Sequence, residues 1–146
     1  MLAEILTRYA HFIFILIMTS TLIGEALLVK PLMTRAELKT MAKLDGLYGL
    51  SAVLLVAAGL TLWLGVGKPA DYYTKNPVFH LKLTLAVVIG LISIYPTVFY
   101  IKKSRGKDLE AQIPVPSGIK KAIILQIALL ALIPMLAILA ARGIRW

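Results

Sequence analysis

An all-α integral membrane protein is the fold this sequence predicts: a four-helix bundle of antiparallel up-down topology, with both termini on the non-cytoplasmic side. Three observations predict it. Of the 146 residues, 60% are hydrophobic and 16% charged, a balance far from that of a soluble domain. The apolar residues fall in four blocks, each near the roughly 20 residues a helix needs to cross hydrocarbon. Basic residues flank those blocks. In lipid a backbone must satisfy its own hydrogen bonds, which makes each block a helix.

The spans fall at approximately 9–29, 45–64, 79–101 and 119–141 within a single transmembrane domain, 1–146. The first apolar run is too long for a signal peptide and contains Glu25, so it reads as retained. Before the second span, Thr34 and Glu37 fit a capping box, opening an amphipathic interfacial segment at 35–44. The third span opens on Asn76-Pro77, an N-cap followed by proline at the first helical position. Trp63, Tyr72 and Tyr73 suit an interfacial aromatic belt, while Pro96 and Pro134 suit helix kinks.

Ten of the sixteen Lys and Arg residues lie in the loops after spans one and three, among them Lys30, Arg35, Lys43, Lys102, Lys120 and Lys121. The other six, Arg8, Lys68, Lys75, Lys82, Arg142 and Arg145, flank the opposite ends. This bias predicts that the two odd loops are cytoplasmic. The net charge of +9 belongs to anionic lipid headgroups, because the basic runs lack the aromatic interleaving of a nucleic-acid site. Cysteine is absent, which removes disulfides, thiolate metal sites and iron–sulfur clusters.

The only two histidines, His11 and His80, open spans one and three, whose starts share a membrane face in an up-down bundle. Imidazole is the commonest protein ligand for metals and a frequent one for haem iron. Two imidazoles at one depth, with Arg8, Lys82 and Arg142 near porphyrin propionates, predict a b-type haem site (haem b). His11 and His80 would be its iron ligands, in a slot lined by Phe12, Phe14, Ile15, Leu83 and Val87. One haem near one face cannot relay electrons across about 30 Å of hydrocarbon. The expectation is therefore one-face redox chemistry on a lipophilic substrate such as a porphyrinogen or a quinol.

His11, Phe14, Ile15, Met18, Leu22 and Glu25 form one stripe at helical spacing, which should face the bundle interior. Glu25 follows His11 by fourteen residues, returning to within about 40° of the same face, roughly 21 Å further on. Glu25 and Asp45 meet at the cytoplasmic end of the first hairpin. They read as structural ion pairs that fix the hairpin, or as proton-path carboxylates paired with Arg35 or Lys43, with Tyr48 able to bond Asp45 in either case. Two other functions stay open. One is a non-catalytic subunit or scaffold without cofactor, in a homo-oligomer or larger membrane complex. The weaker one is a small oligomeric transporter using Glu25 and Asp45.

The segments Asp45-Gly-Leu-Tyr-Gly-Leu-Ser-Ala, Tyr73-Thr-Lys-Asn-Pro-Val-Phe-His-Leu-Lys82 and Gly90-Leu-Ile-Ser-Ile-Tyr-Pro-Thr97 resemble a bacterial family of four-helix membrane proteins of unknown function, a resemblance that implies a bacterial inner-membrane location. More distantly, His11 and Phe79-His80-Leu81-Lys82 resemble the HemJ-type protoporphyrinogen oxidases, small membrane haem proteins with an early histidine and a His-x-Lys motif. That second resemblance implies His11 as haem ligand, Lys82 as an essential polar group, and His80 as a second ligand or a neighbour. It bears on haem more than on a particular reaction.

Overall fold

The computed structural model describes residues 1–144 and is built from four long helices: α1 (Leu2–Leu28), α2 (Arg35–Thr61), α4 (Pro77–Lys103) and α5 (Ser117–Ala141). A two-stranded ribbon, β1 (Leu32–Thr34) and β2 (Gln112–Pro114), and a short helix α3 (Ala70–Thr74) complete the architecture. Each long helix is long and apolar enough to cross a membrane. Arg145, counted above among the flanking cations, lies outside the described residues.

Helix α1 packs along α2 and α4 along α5, and the pairs meet through α2–α4 and α1–α5. Between lipid-embedded helices no hydrophobic force acts, so close side-chain packing and internal polar bonds hold the bundle. The interior at the ribbon end is built from Leu22, Leu38, Met41, Ile89, Tyr100, Ile119 and Ile123, all essentially inaccessible. Outward, Phe12, Leu16, Val53, Leu91 and Met135 are exposed, an apolar coat suited to acyl chains.

The ribbon is a feature the sequence reading missed. It pairs Leu32 with Pro114, Met33 with Ile113 and Thr34 with Gln112, antiparallel, fastening the α1–α2 connection to the α4–α5 connection. It also solves the α2 N-terminus, whose first N–H groups have no helical acceptor. Arg35 and Ala36 donate to the Ala111 and Leu109 carbonyls, both at 3.0 Å. Glu37 donates to Thr34 Oγ1 at 3.1 Å while its carboxylate accepts from Thr34 N at 2.8 Å. The predicted capping box is therefore present. From it α2 runs unbroken through the segment expected at the interface.

At the opposite end α2 finishes in a π-helical turn, Leu62–Val66. Gly67 follows it with so little space that a β-carbon would sit on the Leu62 carbonyl. Asn76 caps α4 through Val78 N at 3.0 Å, with Pro77 behind it, as the sequence predicts. The α5 C-terminus closes on Gly143, at φ +71°, with Ile144 N donating to Leu139 O at 3.1 Å. Lys68 Nζ at 3.0 Å and Tyr72 OH at 2.7 Å both donate to the Ala141 carbonyl, supplying the cations and donors a helix end favours.

Candidate functional site

The densest polar site lies inside the bundle at the ribbon end, and all four long helices contribute to it. From α1 comes Glu25, one turn before the helix end and only 1% exposed. Thr21, one turn earlier, is also buried and bonds back to the Ile17 and Met18 carbonyls. From α2 come Asp45, Tyr48 and Ser51, buried at 6%, 3% and 3% exposure because their three-residue spacing keeps them on one face. From α4 come Ser93, Thr97 and Tyr100, and from α5 Gln126.

Tyr48 OH donates to Gln126 Oε1 at 2.9 Å, tying α2 to α5 across the core. Gln126 Nε2 donates back to the Ala122 carbonyl at 3.3 Å. Asp45 faces Thr97, Tyr48 faces Ser93, and the Glu25 and Asp45 carboxylates lie close enough to act on each other electrostatically. Tyr100, fully buried, is within the field of both carboxylates, yet its hydroxyl has no partner among the described residues. One oxygen of Glu25, Oε1, is likewise buried and unpaired.

No cation joins this pair among the described residues. Arg35 donates instead to the Asp108 carbonyl at 2.8 Å, and Lys43 is exposed. The ion pair expected with Arg35 or Lys43 is therefore not formed, and Tyr48 bonds Gln126 rather than Asp45. Two buried carboxylates within electrostatic reach of each other are costly to hold fully charged when no cation joins them. An arrangement of this kind is suited to taking up and releasing a proton.

The histidine end is arranged differently. His11 is half-buried, with its ring against α2: a β-carbon on Gly59 would meet the imidazole at 3.4 Å, and the Leu55 backbone is alongside. Its Nδ1 is buried with no hydrogen-bond partner. His80 is exposed, and its Nε2 lies 2.6 Å from the Thr74 carbonyl oxygen. A carbonyl can only accept, so Nε2 is the protonated nitrogen and Nδ1 alone is left for a ligand.

The two histidine-bearing helices, α1 and α4, do not pack along each other. Phe12 and Val87, assigned to the haem slot, are 63% and 62% exposed on outer faces. No cluster of three or more metal-ligating side chains occurs among the described residues. Arg8 is held by Glu4, at 2.8 Å, and Arg142 is exposed at the end of α5. Lys82 sits over the Phe79 ring at 5.0 Å, and its charge, with that of Arg8, reaches His11. Around it Trp63 and Tyr73 pack on Phe79, with Trp63 Nε1 donating to Thr74 Oγ1 at 3.1 Å.

Four membrane-length helices enclosing a buried carboxylate network define a small multi-pass membrane protein. The chain belongs to the family described as "Predicted membrane protein (DUF2214)", whose model matches residues 3–145. No curated protein and no solved structure matches it.

Sequence reading named Glu25, Asp45 and Tyr48 but missed Thr97, Tyr100 and Gln126 as their companions. A signal was present: Ser93, Thr97 and Tyr100 recur at four and three residues on an otherwise apolar span, a polar stripe like that on α1.

Proposed function

We propose that this protein carries protons through the membrane, with Glu25 as the group that takes up and releases the proton and Asp45 as its electrostatic partner. The observation that carries the reading is the Glu25 carboxylate, 1% exposed on a membrane helix and within electrostatic reach of Asp45, with no cation joining them among the described residues. Ionisable groups inside spans mark transport paths and proton relays by default. A proton suits the site better than a metal ion, which needs a shell of several oxygens that these two side chains do not supply. The polar groups are too few to line a pore in one chain, so the transporting unit is an oligomer.

In this reading the helices run up and down, with the ribbon end cytoplasmic and both termini outside, in a bacterial inner membrane. Support for the orientation comes from the sequence, which places ten basic residues after spans one and three against six flanking the other span ends. A reporter fused to the C-terminus tests that orientation.

The function is tested by proton flux into liposomes carrying a pH-sensitive dye. Wild-type protein should dissipate an imposed pH gradient, and Glu25→Gln, which keeps the shape but cannot ionise, should not. Equal flux from both would sink the proposal.

A second reading, haem b bound through His11 for one-face redox chemistry on a porphyrinogen or quinol, is favoured by one observation. The His11 ring is half-buried beside the charges of Lys82 and Arg8, which could meet propionates. When bound, the haem would supply one-electron chemistry, while His11 would hold it and Lys82, Arg8 and Arg142 would orient it. A reduced-minus-oxidised visible spectrum decides it. A b-type spectrum lost in His11→Ala and kept in His80→Ala supports single ligation. A colourless protein prepared with haem removes it, and if that protein also carries no flux, a subunit role is left.

A further inference from the structure

Outside the carboxylate site, a cavity of about 320 Å³ lies between the end of α1 and the start of α5. Its walls are of two kinds. Val29, Val115 and Ile124 are apolar, while Lys30, Lys120 and Lys121 bring ammonium groups to its rim. The floor is fixed by backbone, since Val115 N donates to the Pro31 carbonyl at 2.8 Å where the ribbon begins. Ribbon and cavity lie where the apolar spans stop, at the depth of lipid headgroups.

Charge decides what the cavity can take. Lys30 is neutralised by Glu37, at 2.6 Å. Lys120 and Lys121 are exposed and have no carboxylate partner among the described residues, so the rim carries an excess of two positive charges. Below it, Ile124 on α5 and Leu27 and Leu28 on α1 present apolar surface along the helix faces. A ligand that matches must therefore carry a phosphate at the level of the lysines and a hydrocarbon chain beneath.

We infer that this cavity is a binding site for an anionic glycerophospholipid, its phosphate between Lys120 and Lys121 and an acyl chain passing over Ile124. This is a defined site, not general attraction of a basic surface. Lys102 and Lys103, at the end of α4 on the same side of the membrane, do not line it. Clustered lysines near anionic headgroups contribute enough each that losing two should weaken binding about 30-fold.

Native mass spectrometry of the protein released from nanodiscs of mixed phosphatidylglycerol and phosphatidylcholine tests it. The wild type should retain phosphatidylglycerol preferentially. K120Q/K121Q should lose that preference, and K102Q/K103Q, with the same change in net charge, should keep it. Equal loss in both double variants would overturn the site, leaving only diffuse charge. Retention in K120Q/K121Q would also overturn it. So would displacement of the lipid by inorganic phosphate at equal concentration, which would make the ligand a free anion. All four lysines are exposed, so both double variants should fold, and unchanged helical circular dichroism verifies that.

Discussion

At the ribbon end, Glu25, Asp45, Tyr48 and Gln126 are sunk among four helices and bond, or fail to bond, to one another. At the opposite end, Lys68, Tyr72, Lys75 and His80 stay at or near the surface and bond to backbone carbonyls or to a neighbour one turn away. The second pattern is what an interface requires. Helix ends leave carbonyls unsatisfied, and flexible cations and hydroxyls cover them cheaply where water and headgroups are near. The first pattern has no such cause. Apolar side chains of similar volume would fill the same space without desolvating two carboxylates, so the polar core is held for something other than stability.

The contrast predicts different kinds of damage at the two ends. The largest is expected at Gly67, where backbone geometry rather than a side-chain network holds the structure. A β-carbon there would overlap the Leu62 carbonyl, so the π turn must unwind or move. Gly67→Ala should destabilise the protein by about 3 kcal/mol, in the range of substitutions that force a backbone rearrangement. Thermal unfolding in detergent measures it. An unchanged midpoint would mean that the turn is loose and that the outer end is not built on backbone constraint.

A sharper comparison lies within the polar core, between two tyrosines. Tyr48→Phe removes the donor to Gln126 and leaves Oε1 buried and unsatisfied, which should cost about 1–2 kcal/mol. Tyr100→Phe removes a hydroxyl that already lacks a partner, so it should be neutral or slightly stabilising. Chemical unfolding of the two variants side by side checks the pair. Equal losses would mean that Tyr100 is bonded in solution, to a water or to a protonated carboxyl, and that the network extends further than its direct bonds.

How much of this was legible beforehand follows from which interactions are local. The four helices announced themselves because lipid leaves a span few conformational choices. Thr34 with Glu37 and Asn76 with Pro77 were readable because a cap is written within four residues. The β1–β2 pairing was not: Leu32 and Pro114 are distant in sequence, and three-residue strands carry no period to detect. The polar core was half legible. Glu25 and Asp45 stand out by charge, but the sequence does not show that Arg35 turns to the Asp108 carbonyl and that no cation joins the pair among the described residues. The expectation of a histidine pair rested on chain order, which fixes that His11 and His80 open their spans but not which way each ring turns.

The smallest expected effects concern those two rings, and they separate a packed imidazole from a peripheral one. His11 lies against Gly59, so truncating it leaves an unfilled groove between α1 and α2. Its buried Nδ1 has no bond to lose, which offsets part of that cost. His11→Ala should therefore lower stability by about 1 kcal/mol, the low end for a deleted packed side chain. His80→Ala gives up one bond from an exposed ring to the Thr74 carbonyl, which neighbouring water or headgroups can replace, and should change stability by less than about 0.5 kcal/mol. Unfolding midpoints measured with and without added haem extend the test. If haem raises the wild-type midpoint and His11→Ala abolishes the rise, the half-buried ring is a ligand site as well as a packing element, because a molecule that binds only the folded state must stabilise it. If haem raises the wild type and His11→Ala equally, His11 is a packing residue alone, and the reason for a histidine at that depth lies in its contact with α2.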